Sequence, residues 1–212
     1  AIHARGADFP TITNPCGEVA LPITGGFCVV ADVAPLLACP LPLEALSPGA
    51  LPKDLAEAWD ARVAAAIQLG VRFLIRINRM RGIYDAEIRA SNRIGIGLTG
   101  IFEWAWLRFG LGFKALIAAG GGQDFWRLLA RLSASAKREA DDYARALGMA
   151  MPATVTTIKP AGTTSLLFGL SAGAHPPPAA QYLRWVRYED VTVASTLPLD
   201  LASGLVAVGD VD

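Results

Sequence analysis

The segment Thr13-Asn14-Pro15-Cys16-Gly17-Glu18 spaces an amide, a thiol and a carboxylate two residues apart. Pro15 disfavours helical geometry at Asn14 and biases it toward an extended chain. In an extended chain alternate side chains share a face, so the expectation is that Asn14, Cys16 and Glu18 point the same way. A thiolate nucleophile needs a neighbouring base, usually His, and a cationic setting. Here the neighbour in sequence is an acid, which would raise a thiol pKa, although a distant His could still be brought in by the fold. A neutral thiol beside a general base suits hydrogen-atom chemistry better: the sulfur holds a radical while the carboxylate takes a proton from a substrate hydroxyl. From the segment alone, a buried and inert cysteine beside a turn is an equally good account.

A second stretch, Lys159-Pro160-Ala161-Gly162-Thr163-Thr164-Ser165, follows a β-branched run and precedes an apolar one. Free backbone amides at such a point carry partial positive charge, Gly162 allows an anion close, and the three hydroxyls add donors. This is phosphate-binding chemistry without a P-loop, since G-x-x-x-x-G-K-[ST] is absent. A capped helix with no ligand is the commoner meaning of an isolated Gly-Thr-Thr-Ser. The two histidines, His3 and His175, argue against a histidine metal site, and no metal ligands are assigned. The three cysteines, Cys16, Cys28 and Cys39, contain no CxxC pair and are odd in number, so neither a zinc site nor a disulfide framework is expected.

These groups need elements to position them. The first 50 residues carry seven prolines between Pro10 and Pro48, which leaves room only for short extended pieces such as 27–33. Leu55, Trp59, Val63, Ile67 and Leu74 fall at helical spacing and predict a long helix over 53–80, with Gly70 as the place for a break. Residues 79–91 read as a connection, 93–99 as a short strand with glycines that mark close approach, and 101–118 as one helix. A second long helix is expected over 123–147, with Phe125, Leu128, Leu129, Leu132, Ala136, Ala140 and Tyr143 inward and its charged middle as a solvated face. Residues 154–158 read as a buried strand, 182–188 as alternating aromatic and basic residues, and 191–193 as a weak strand. Helices alternating with short strands argue for an α/β layer or barrel.

Composition limits the partners. The chain has 212 residues, 53% apolar and 18% charged, which excludes disorder. Lys plus Arg and Asp plus Glu both number 19, so no general attraction to nucleic acid or anionic lipid is expected. No apolar run reaches the ~18–20 residues of a membrane helix. No signal peptide is visible, and reduced thiols fit a cytoplasmic location. The absence of an initiator Met suggests a piece of something longer.

Taken in order, Asn-Pro-Cys-Gly-Glu, Gly-Phe-Cys at Gly26–Cys28, Arg-Ile-Gly-Ile-Gly-Leu-Thr-Gly at Arg93–Gly100 and Lys-Pro-Ala-Gly-Thr-Thr-Ser-Leu-Leu from Lys159 resemble ribonucleotide reductase catalytic subunits. The flavour resembles the adenosylcobalamin-dependent class, especially its monomeric triphosphate reductases. The resemblance spans most of the chain, from about Thr13 to Arg187. It implies part, roughly the later half, of a ten-stranded α/β barrel: residues 1–212 as one partial catalytic barrel domain, with a finger loop near 11–30 and a phosphate-binding loop near 159–166.

The resemblance also implies roles. Cys16 would carry the thiyl radical that abstracts the ribose 3′-hydrogen, Glu18 would take the 3′-hydroxyl proton, and Asn14 would hydrogen-bond the ribose hydroxyls. Cys28 would be a reducing cysteine whose partner lies outside this chain. Pro160, Ala161, Gly162, Thr163, Thr164 and Ser165 would hold substrate phosphates. The cofactor would be adenosylcobalamin, the substrate a ribonucleoside di- or triphosphate, and the further partners a thioredoxin-like reductant and the remainder of the reductase chain. The product would be deoxyribonucleotides for DNA synthesis. Ala161 departs from the serine commoner in the family, and Cys39 has no assigned role beyond a small core residue. The alternatives are the iron-dependent class of the same family and a non-catalytic nucleotide-binding fragment with a merely buried Cys16.

Overall fold

The computed structural model describes residues 11–22, 26–80, 82, 83 and 85–175. The expected features at 182–188 and 191–193 lie outside these residues. A hairpin comes first: β1 (Thr11–Thr13) pairs antiparallel with β2 (Ala20–Pro22), Ile12 opposite Leu21. β3 (Val29–Val33) follows, then two 3₁₀ turns that use the proline-rich stretch, Pro35–Ala38 and Leu43–Ala45.

α1 (Lys53–Ile77) buries Trp59, Val63, Ile67, Val71 and Leu74, the stripe its spacing predicts. It is not broken at Gly70. A Cβ there would lie 2.7 Å from Ile96 Cδ1, so the glycine seats the helix against the sheet instead of interrupting it. The stretch read as a connection contains α2 (Asp85–Ser91). β4 (Ile94–Leu98) then runs parallel to β3, with Val29 opposite Ile94 and Val33 opposite Leu98.

The helix expected over 101–118 is two helices, α3 (Ile101–Phe109) and α4 (Phe113–Ile117). Gly110 ends the first at φ 68°, a left-handed C-cap that glycine adopts without steric cost. α5 (Gln123–Ala146) buries Phe125, Leu128 and Leu132 in its first half and Ala136, Ala140 and Ala144 in its second. The chain then bridges β4 in parallel at Thr156–Ile96 and ends, among the described residues, in α6 (Gly162–Leu167) and a turn. The 154–158 segment is an edge rather than a buried strand: Thr154 and Val155 are buried, but Thr156 and Ile158 are exposed.

The result is a β-α-β-α-β order, in which α1 carries the chain from β3 to β4 and α5 returns it to 154–158. α1 and α5 lie side by side and run the same way. Gln68 bonds Ser135, Arg72 pairs with Glu139, and Arg76 bonds the Tyr143 hydroxyl, three rungs each one helical turn further along both helices. The charged middle of α5 is thus only partly a solvated face, because Glu139 is spent on α1. Trp104, Phe109 and Phe125 pack edge-to-face, with Trp104 and Phe125 at 5.5 Å, and close the core at one end. Among the described residues the strands form two small sheets, and the fold is α/β. No described helix is long and apolar enough to cross a membrane.

Candidate active site

Side chains of a strand alternate, so β4 has two unlike faces. Ile94 and Ile96 point to the helices. Gly95 and Gly97 lie on the other face, which is kept low: a Cβ on Gly95 would sit 2.9 Å from both Val30 Cγ1 and Thr157 Cγ2. The hairpin docks on this side. Thr157 Oγ1 donates a 2.8 Å hydrogen bond to the Glu18 carbonyl, and Val19 is buried.

The tip of that hairpin corrects the extended geometry expected for residues 14–18. Gly17 N–H donates to the Asn14 carbonyl at 2.9 Å, and Gly17 sits at φ 78°. The chain therefore turns between Cys16 and Glu18 instead of alternating through them. Asn14 organises the turn. Its Oδ1 accepts from the backbone N–H groups of Glu18 and Val19, both at 3.0 Å, an arrangement a short amide side chain is suited to make.

Cys16 is exposed. Among the described residues, nothing encloses its sulfur in the way the inert, buried account supposes. An apolar cavity of about 820 Å³ does reach Gly17, Glu18 and Val19, where it meets Thr157, Ile96 and Phe125, but Cys16 does not line it.

Glu18 is brought to Cys28. One of its carboxylate oxygens, Oε2, is buried with no hydrogen-bond partner among the described residues. Burial pushes the Cys28 thiol above its ordinary range, the negative charge of Glu18 raises it further, and the Arg93 guanidinium opposes both. Arg93 is itself buried and paired with Glu87. Cys28 is thus held as a thiol, the form that can give up a hydrogen atom. Cys39 is half-buried against the main core, as a small core residue would be.

The phosphate candidate continues from the same edge segment. Lys159 lies two residues beyond Thr157 on the same face, and its Nζ is 2.7 Å from Asp32 Oδ2. Thr164 Oγ1 donates to the same oxygen at 2.8 Å. Ala161 occupies a left-handed conformation, φ 54°, just before α6. Two of the three hydroxyls expected to face a phosphate are therefore engaged within the chain: Thr164 on Asp32, and Ser165, which is buried, on the Gly162 carbonyl at 3.4 Å. Thr163 and Gly162 remain exposed. Sequence reasoning missed Asp32 and Thr157. The signal for Asp32 was available: a charged residue in the apolar run of β3, in alternation with Cys28 and Val30.

The fold is similar to a segment of a larger solved structure. A crystal structure of a B-12 dependent (class II) ribonucleotide reductase matches 77% of this chain and 22% of its own, with a TM-score of 0.58 at 23% identity. Named relatives agree. The adenosylcobalamin-dependent ribonucleoside-triphosphate reductase of Lactobacillus leichmannii is 28% identical over 196 residues, covering 84% of this chain and 24% of that protein. The protein of the same name from Levilactobacillus brevis is 30% identical over 94% of this chain and 26% of its own length. No family model matches the chain. The chain is similar to a segment of the adenosylcobalamin-dependent reductases, as its motifs implied, and spans about a quarter of the length of these relatives. Nothing among them supports the iron-dependent alternative.

Proposed function

We propose that this chain is the part of an adenosylcobalamin-dependent ribonucleotide reductase that carries the radical cysteine, the general base and a substrate phosphate loop. The observation that carries the reading is Glu18: its carbonyl is pinned by Thr157, and its carboxylate is buried in part without a partner and close enough to raise the Cys28 thiol. A buried, unpartnered carboxylate oxygen is costly unless something else is meant to meet it, and a substrate hydroxyl is a suitable donor.

In this reading Glu18 takes the ribose 3′-hydroxyl proton, and the Nδ2 group of Asn14 donates to the ribose hydroxyls. Cys16 takes the 3′-hydrogen and later returns it. Cys28, kept as a thiol, supplies reducing equivalents together with a cysteine outside this chain. Pro160, Ala161, Gly162, Thr163, Thr164 and Ser165 form the phosphate loop, in which the backbone amides and Thr163 face the anion. Adenosylcobalamin, when bound, supplies the one-electron oxidation of the Cys16 sulfur. The residues present suit that chemistry, since the thiol is accessible at a turn and open space lies beside Gly17. The remainder of a ten-stranded barrel would cover this exposed tip and exclude water from the radical. The substrate would be a ribonucleoside triphosphate or diphosphate, the reductant thioredoxin-like and the location cytoplasmic.

The test is Cys16→Ser in the full-length protein. Deoxynucleotide formation with adenosylcobalamin, without iron or oxygen, should be lost while nucleotide binding persists. Activity that survives the substitution, or that needs an iron partner, overturns the assignment.

A further inference from the structure

Asp32 is the most buried carboxylate in an ion pair of the described residues, with its side chain 2% exposed. It stands on β3, in alternation with Cys28, which immediately precedes that strand. Its Oδ2 accepts both from Lys159 and from Thr164, which bracket the phosphate loop from its two ends. Its Oδ1 is buried without a partner in the described structure. The approach is tight: a Cβ on Gly97, in the strand between them, would lie 3.4 Å from Asp32 Oδ1 and 3.2 Å from Lys159 Cβ. Glycine in β4 lets a strand-borne acid reach across to the loop.

We propose that Asp32 is a positioning residue that fastens the phosphate loop to the strand that follows the reducing cysteine. This rests on the reductase reading above. A carboxylate that held nothing would be expelled or neutralised at this burial. Here the Lys159 charge and the Thr164 hydroxyl satisfy one oxygen by charge-assisted bonds. The clamp also turns Thr164 and Lys159 inward, so the anion meets the backbone amides near Gly162 and Thr163. It thereby fixes how far the phosphates sit from the sugar that Glu18 and Cys16 must meet. An anchor already held in the shape the anion needs costs less to order on binding, so loss of the clamp weakens substrate binding.

The experiment measures steady-state reduction of a ribonucleoside triphosphate by the full-length protein with adenosylcobalamin. Asp32→Ala should raise KM by about tenfold, the loss of one charge-assisted contact, with kcat changed less than about threefold. Thr164→Val should raise KM by about threefold. The double variant should be no worse than Asp32→Ala alone, because both changes break the same clamp. Should Asp32→Ala not fold, the near-isosteric Asp32→Asn paired with Lys159→Met reads the same non-additivity, because both changes remove the same ion pair. An unchanged KM, a loss confined to kcat, or fully additive effects overturns the clamp while leaving the reductase reading intact. Wild-type protein that reduces no ribonucleotide sinks that reading, and this inference with it.

Discussion

The helical layer and the hairpin are built to opposite specifications. α1 and α5 present continuous apolar stripes, share three side-chain rungs and bury Trp59, Phe125 and a row of alanines. The hairpin has three-residue strands, an exposed tip, and a turn shaped by a single asparagine. Among the described residues, the Thr157–Glu18 bond ties it to the sheet. Stability resides in the first and the candidate chemistry in the second, the usual division between a rigid scaffold and a loop that must admit a ligand.

The largest effect should therefore come from the layer farthest from the thiol. Trp59 is fully buried, and its Nε1–H donates to the Pro35 carbonyl at 2.7 Å, tying α1 to the turn after β3. Trp59→Ala leaves a large void and an unpaired carbonyl, at a cost of about 3–5 kcal/mol in urea unfolding. A loss below about 1 kcal/mol would mean that the two regions do not divide the work as described.

Next comes the seat between layer and sheet. Gly70→Ala gains up to about 1 kcal/mol of helix propensity but drives a methyl into Ile96 Cδ1, a crowding worth about 1–3 kcal/mol. The net change should be a loss of about 1 kcal/mol. Ile96→Val removes the offending methyl, so the double variant should be more stable than the sum of the two singles. Simple additivity would show that α1 does not rest on β4 through this contact.

The same division explains what could be read from the residues alone. α1 and α5 were legible because a helix's apolar period is a local property, and their ends agree with the observed ones to within a few residues. Gly70 and Gly110 were misjudged in opposite directions. One is a packing contact with a strand more than twenty residues away, and the other a left-handed cap that splits what looked like one helix. The thiol and carboxylate were found by type, but their geometry was not. The alternation rule applies to strands, and Asn14 takes two backbone N–H groups to make a turn. Thr164 and Ser165 read as phosphate donors by type alone: Ser165 turns back onto the Gly162 carbonyl, and the partner of Thr164, Asp32, lies more than a hundred residues away, where its charge in an apolar run marks it as notable without saying what it accepts from.

The smallest effect lies within the hairpin's own contact and is read by titration. Cys28 is raised above the ordinary thiol value of 9.0, by burial first and by the Glu18 charge second. Glu18→Gln removes the second cause and leaves the first, so the Cys28 pKa should fall but stay above that value. At pH 8.5 the thiolate fraction then rises, and iodoacetamide should modify Cys28 faster in the variant, followed by peptide-resolved mass spectrometry. The linkage has a definite sign. A thiol that keeps its proton longer when folded contributes stability that is complete below pH 9 and is lost as pH rises through the folded value. Glu18→Gln should narrow that alkaline loss without touching stability at neutral pH through this group. Cys39, half-buried against the main core, provides the internal control, and its rate should be the same in both proteins. A Cys28 rate that ignores Glu18, while Cys39 behaves as expected, would separate the carboxylate from the second thiol. The hairpin would then be a neighbour of β3 rather than a functional part of the same site.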